Sequence, residues 1–357
     1  MEDEIRFIGE ISVMETLIIK DINSESLETA GEIIRKGGTV CFPTETVYGL
    51  GASAYDEDAI AKIYEAKGRP SDNPLIVHIP DVSEVHKVAR EVPDNAKKLF
   101  EAFAPGPFTL ILKKNPEIAD RVTAGLDTVG VRIPSHPVAR DFLKAAGVPV
   151  AAPSSNISGK PSPTRAEHVI ADMDGRVDAI ICGGASDVGV ESTIIDMTGG
   201  VPVILRPGGI TPEDIKRVLG DVKIDRHVLE SVNVKDQPKC PGMKYKHYAP
   251  DAEVTVVSGT LNATENKIAE LVLEEKKKGM RVGVLARCDK GYNADTFISS
   301  GDDNGELARV LFDALRQFDK ENIDTCFVQF TGDDGISLAV KNRLFKAAGN
   351  KVIYTEE

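Results

Sequence analysis

From Thr16 to Gly220 the chain alternates two kinds of segment, and that alternation admits few architectures. The runs "TVCFPT", "PLIVHI", "FTLILKK", "TVGVRIP", "VPVAAP", "DAIICGG", "STIIDM" and "PVILRP" are short, β-branched and bounded by Gly or Pro, as buried strands are. Between them "SLETAGEIIRKG", "DEDAIAKIYEAKG", "SEVHKVAREV", "HPVARDFLKAAG", "TRAEHVIADMDG" and "TPEDIKRVLG" carry apolar residues at helical spacing. Most open on Ser, Thr or Asp and several close at Gly, the asymmetry of capped helices. The predicted class is α/β, a twisted mixed-sheet domain over residues 16–220.

Beyond Gly220 the periodicity fades through "DVKIDRHVLESVNVKDQPKCPGMKYKHYAPD", and residues 221–250 read as a linker. After it "AEVTVVSG", a charged helix ending in "EEKKKGM", "RVGVLAR", "GELARVLFDALRQFDK", "DTCFVQF", "SLAVKNRLFKAAG" and "KVIY" alternate strand with helix. Residues 251–357 are therefore expected to form a smaller Rossmann-like parallel sheet. A length of 357 residues suits two such domains. With 41% hydrophobic and 28% charged residues and no long apolar run, the chain is expected to be soluble, with no membrane partner. The acidic start "MEDEIRFIGE" lacks a secretory pattern, so a cytoplasmic location is expected. Cys41, Cys182, Cys240, Cys288 and Cys326 are scattered without a CxxC pair and read as reduced thiols.

A net charge of -13 argues against a surface that coats nucleic acid, but not against a local cationic pocket. "GLGASA", residues 49–54, matches G-x-G-x-x-A, but the acidic residue expected some twenty positions on would fall in the turn "RPSDNP". It reads instead as a tight strand-to-helix turn. No P-loop, G-x-S-x-G or H-E-x-x-H is present, and no Cys has an obvious His partner. His86, His168 and His227 lie on polar faces and read as solvated.

What remains is a set of strand-end residues. Lys67 and Arg69 follow a helix, His78 lies on the next strand, and Arg132 and Arg206 close strands beside Pro. Guanidinium groups suit carboxylates and phosphates, and strand-end loops hold ligands in α/β domains. Taken singly, Lys67 could equally offset a helix dipole, and Arg132 and Arg206 could sit in surface ion pairs. Hydroxyl and amide donors fill the other loops: Thr44 and Thr46; Ser154, Ser155, Asn156, Ser158 and Ser162; Ser192 and Thr193. Such a set, with no protein nucleophile, fits phosphoryl or nucleotidyl transfer, where positioning and charge neutralisation do most of the work.

In order, "FPTETVYGLGA", "AKGRPSDNPLIVHI", "PGPFTLILKK", "TAGLDTVGVRIPSHP", "AAPSSNISGKPSPT", "GVESTIID" and "LRPGG" closely resemble the YrdC-type domain. With "PGMKYKHYAP" and a C-terminal α/β domain, the whole resembles the two-domain L-threonylcarbamoyladenylate synthases. The resemblance implies a nucleotidyltransferase that condenses L-threonine, bicarbonate or CO2, and Mg-ATP to threonylcarbamoyl-AMP and pyrophosphate. The product would serve threonylcarbamoyladenosine modification of tRNA beside the anticodon. It implies catalytic roles for Lys67, Arg69 and Arg132. ATP would meet Arg69, Asn73, Thr128, Ser154, Asn156, Ser162, Arg206 and Tyr248. Threonine would meet Thr46, His78, Arg132, the backbone at Ala152, and Ser192. Magnesium would ride between phosphates and water, with no dedicated protein metal site. The segment around Tyr248, with Lys244 and Lys246, would be a lid over the nucleotide. tRNA and the downstream threonylcarbamoyl-transfer complex are further expected partners.

Two rivals have specific discriminators. Hydrogenase-maturation carbamoyltransferases carry related domains, but also CxxC zinc fingers and an acylphosphatase-like module, which this sequence lacks. An RNA-binding assembly factor would need a basic surface or aromatic RNP-like strands.

Overall fold

The computed structural model describes residues 14–71, 73–229, 240, 248–332 and 335–355. Among these, one sheet takes β1 (Leu17–Ile19), β2 (Val40–Phe42), β3 (Gly49–Ser53), β4 (Ile76–His78), β5 (Phe108–Lys113) and β6 (Thr128–Arg132). It continues with β7 (Val150–Ala152), β8 (Ala179–Ile181), β9 (Thr193–Asp196), β10 (Val203–Arg206) and β11 (Lys223–Ile224). Their spatial order is β1-β8-β2-β3-β7-β4-β6-β5-β9-β10-β11, with parallel and antiparallel neighbours mixed. A second sheet, β12 (Glu253–Ser258), β13 (Val282–Ala286), β14 (Thr296–Ser299), β15 (Thr325–Phe330) and β16 (Val352–Tyr354), runs β14-β13-β15-β12-β16 and is parallel throughout.

Side chains alternate between the faces of the large sheet, and both faces are covered, so its strands read as continuous apolar runs. Val40, Phe42, Val150 and Ala152 pack beneath the helices Ser24–Arg35 and Pro137–Ala146, whereas Cys41 and Ala151 point to the opposite core. Ile76, Ile111, Ile194 and Leu205 form a separate apolar patch. By strand alternation Ile76 shares its face with His78, whose ring meets Phe42 edge-on at 5.7 Å, so the patch and the Phe42 core lie on one side. Between them lie His78, Arg132 and Gly49, the floor of a cleft.

The eight expected strands up to Arg206 form, and three readings are corrected. "GLGAS" is strand β3 rather than a turn. A Cβ on Gly51 would lie 2.6 Å from Val150 and 3.0 Å from Phe42, so the glycines are there for close strand packing. "SEVHKVAREV" forms only the 3-10 segment Val82–Lys87, after which Ala89 bridges to Lys114. His168 is not solvated: Nε2 lies 3.1 Å from Asp313 Oδ1, and Nδ1 accepts from the Thr164 amide. The helix Asp94–Phe103 and strand β14 are additions to the sequence reading. Within residues 221–250, β11 pairs with β10 and the helix Arg226–Leu229 follows. Lys244 and Lys246 lie outside the described residues.

The two sheet units share a core. Val47 and Val190 from the first pack in one cluster with Tyr248, Leu311, Phe312 and Val340. The helix Asn304–Lys320 lies across this seam. Arg316 donates to the Pro161 carbonyl at 2.6 Å and pairs with Asp172 at 2.7 Å, while Arg165 pairs with Asp313 at 2.9 Å. Gly189 meets the same helix: its φ is +77°, and a Cβ there would lie 2.4 Å from the Ala308 carbonyl oxygen.

Candidate active site

The cleft opens to solvent. Its floor follows from strand register: His78 stands opposite Arg132 across β4 and β6, and Ile76 opposite Ala152 across β4 and β7. Period-two alternation turns Ile76, His78 and Arg132 to one face. Arg132 is buried, its Nη2 2.8 Å from Glu45 Oε1 and 3.4 Å from Thr44 Oγ1. Arg132 Nε has no hydrogen-bond partner among the described residues. His78 donates Nδ1–H to the Ile76 carbonyl at 3.1 Å. Burial, with Arg132 beside it, pushes His78 down to about 3, so the ring is neutral.

One wall comes from the end of the helix Glu57–Lys67. Asp56 caps its start, accepting from the amides of Asp58 and Ala59, and Gly68 ends it in the left-handed conformation. That stop leaves Lys67 in the last turn, where it is buried rather than solvated: Nζ donates to the carbonyls of Ser154 (2.5 Å) and Asn156 (2.6 Å). Burial, reinforced by the Arg69 charge, pushes Lys67 down to about 7. Ser154 Oγ donates to Asn156 Oδ1 at 2.5 Å, and Asn156 Nδ2 donates to the carbonyls of Ile157 and Lys160. The loop is therefore held from inside. Arg69 donates to the Asn73 carbonyl at 3.3 Å. The Asn73 amide is fully buried, and neither Oδ1 nor Nδ2 has a partner among the described residues. Buried polar groups are ordinarily satisfied, so these atoms are candidates for water or a ligand.

The opposite wall is Ser162, Glu191, Arg206 and Tyr248. Arg206 donates Nε to the Ser192 carbonyl and Nη2 to Ser192 Oγ, both at 3.1 Å. Ser162 Oγ donates to Glu191 Oε1 at 2.6 Å. Burial favours a protonated Glu191, but Arg343 and Arg206 outweigh it and hold the carboxyl at about 2. Tyr248 is buried, with its phenol pushed up by burial and the Glu191 charge.

Of the residues singled out in the sequence, the cleft brings together Lys67, Arg69, His78, Arg132, Ala152, Ser154, Asn156, Ser162, Arg206 and Tyr248. Thr46, Asn73 and Ser192 stand behind the lining, joined to it through Thr44, Arg69 and Arg206 respectively. Thr128 is elsewhere. It begins β6, paired with Lys113, four residues or roughly 13 Å along the strand from Arg132. Glu45, Glu191 and Arg343 join the site as well, without a signal of their own in the sequence. Glu45 lies within "FPTETVYGLGA" and Glu191 within "GVESTIID", whereas the flanks of Arg343 single out nothing. Among the described residues no cluster of three or more His, Cys, Asp or Glu is placed to hold a metal ion. No helix among them is long and apolar enough to cross a membrane.

The cleft can thus receive an anion between Lys67, Arg69 and Arg206 and a carboxylate at Arg132. Comparison with known proteins places this geometry in a family. The Sua5/YciO/YrdC profile, described as telomere recombination, matches residues 32–208, and a profile described as the threonylcarbamoyl-AMP synthase C-terminal domain matches residues 210–349. A Pyrococcus abyssi protein named threonylcarbamoyl-AMP synthase is 47% identical over 333 residues, covering 93% of this chain and 96% of the relative. A Bacillus subtilis protein of the same name is 46% identical over 337 residues, covering 93% and 95%. The crystal structure of P. abyssi Sua5 complexed with L-threonine superposes with a TM-score of 0.92 at 46% identity, covering 96% of this chain and 100% of that one. The chain belongs to the two-domain Sua5 type of the Sua5/YciO/YrdC family.

Proposed function

We propose that the protein is an L-threonylcarbamoyladenylate synthase, a nucleotidyltransferase that joins L-threonine, bicarbonate or CO2, and Mg-ATP. The observation that carries this reading is the convergence of Lys67, Arg69, Arg132 and Arg206 on one cleft that is also lined by the hydroxyl and amide groups of Ser154, Asn156 and Ser162. The threonine-bound relative supports threonine as the amino acid, and the relatives' name supports the product.

Threonine lies with its α-carboxylate at Arg132, whose Nε awaits a partner, beside a neutral His78 that adds no competing charge. Its amine takes up CO2 as a carbamate and loses a proton. A carbamate oxygen then attacks the α-phosphorus, the bond to the β-phosphate bridging oxygen breaks, and pyrophosphate leaves. Lys67, Arg69 and Arg206 neutralise the triphosphate, and the Ser154–Asn156 loop holds the nucleotide. Magnesium enters with ATP as part of the substrate. The lining carboxylate Glu191 is already engaged by Ser162 and Arg343, which leaves the ion to phosphate oxygens and water. Tyr248, in the cleft wall, helps exclude water from the labile mixed anhydride. The product then serves tRNA modification beside the anticodon in the cytoplasm. Mass spectrometry of a reaction containing all three substrates tests the assignment: a threonylcarbamoyl-AMP ion supports it, and AMP without that adduct contradicts it.

A further inference from the structure

We propose that the second domain completes the nucleotide side of the cleft: Arg343 neutralises the Glu191 carboxylate, which would otherwise face the triphosphate as a bare negative charge. This rests on reading the cleft as an ATP site. It makes Arg343 a positioning residue and gives the second domain a part in substrate binding.

Three observations carry it. Among the described residues lining the cleft, Glu191 is the one carboxylate, beside Lys67, Arg69, Arg132, Lys160 and Arg206. Its two oxygens are taken from two sides: Ser162 Oγ donates to Oε1 at 2.6 Å, and Arg343 Nε donates to Oε2 at 3.0 Å. Arg343 lies on the helix Ser337–Ala347 of the second domain, fully buried, and Nη1 also donates at 2.6 Å to the Pro207 carbonyl, next to Arg206. A buried arginine with no exposure to solvent gains little as a surface ion pair. Little screened by water, its charge acts strongly on the Glu191 carboxylate that it touches.

The second domain also grips the other half of the contact. Arg316, on the helix Asn304–Lys320, donates to the carbonyl of Pro161, immediately before Ser162. Both ends of the Ser162–Glu191 contact are therefore set from across the seam. Removing Arg343 would leave Glu191 unpaired beside Arg206, drawing that arginine away from a phosphate, or adding a like charge to the site.

The test is calorimetric titration of the full chain with α,β-methylene-ATP, which cannot lose pyrophosphate. The proteins are wild type, Arg343→Met, Glu191→Gln and the double variant, with L-threonine titrated in parallel. The account expects Arg343→Met to weaken the analogue by roughly tenfold or more while threonine affinity moves less than about twofold. Adding Glu191→Gln should then restore analogue binding to within about threefold of wild type, because both charges have gone together. If Arg343→Met does not fold, the double variant alone decides: near-wild-type binding supports the account, and weak binding assigns Arg343 to the Pro207 contact and overturns it. Unchanged analogue affinity in Arg343→Met overturns the proposal and leaves the nucleotide reading standing. Absence of analogue binding by the wild type overturns the nucleotide reading and this inference with it.

Discussion

Tyr248 stacks on Phe312 with ring centroids 5.1 Å apart and planes 28° apart, so a residue of the cleft wall rests on a helix of the second domain. Phe312 is fully buried in the shared core. Phe312→Ala should cost about 3–5 kcal/mol of stability, the usual range for an aromatic deleted from a packed core. It should also raise the KM for ATP, because Tyr248 loses its platform. Chemical denaturation and steady-state kinetics on one preparation check both. A stability loss with an unchanged KM would detach Tyr248 from the nucleotide.

Lys67 gives a pH signature. Its folded-state value near 7 lies below the ordinary 10.5, so between these values the unfolded chain holds the extra proton and stability rises with pH. The contribution is at most about 1.4 kcal/mol per pH unit, and Lys67→Met should remove it from the stability–pH curve. A bound polyphosphate favours the charged amine. ATP binding should therefore take up a proton and weaken as pH rises through 7, which titrations in buffers of different ionisation enthalpy detect. Identical proton uptake in Lys67→Met would place the titrating group elsewhere.

Arg132 should separate the two substrates. Arg132→Lys keeps the charge near Glu45 but loses the planar fork, so the KM for threonine should rise roughly tenfold or more while the KM for ATP changes little. Arg132→Ala is the harsher change: it strands a buried carboxylate and should cost about 3–5 kcal/mol of stability. Equal rises in both KM values for Arg132→Lys would remove the threonine role.

Gly189 tests the seam. An alanine there needs a left-handed backbone and places Cβ against the main chain of Ala308 and Arg309. Gly189→Ala should destabilise by about 1–3 kcal/mol from backbone strain, with more if the helix must move. Small-angle scattering should report a looser pair of domains. A variant as stable and compact as wild type would mean that the seam yields easily.

The parts of the fold that were legible share one property: their signal is local. "FTLILKK" and "PVILRP" are strands because a short β-branched run between Gly or Pro has few alternatives. "GLGAS" misled because glycine ordinarily marks a turn, and only the neighbouring strands disclose that Phe42 and Val150 leave no room for a side chain. In the cleft, Lys67, Arg69, Arg132 and Arg206 could be picked out because cations at strand and helix ends have recognisable flanks. Thr128 shares a strand with Arg132 but starts at its far end, a separation that register and strand length reveal and sequence spacing conceals. Arg343 had no signal at all: its partner Glu191 lies 152 residues away. His168 looked solvated for the same reason, since Asp313 reaches it from the other domain.

The most direct measurement is pyrophosphate release by the full chain from Mg-ATP with L-threonine and bicarbonate, omitting each in turn. The account predicts release only when all three are present. Release without threonine or bicarbonate, or none with folded protein and every substrate supplied, would contradict it.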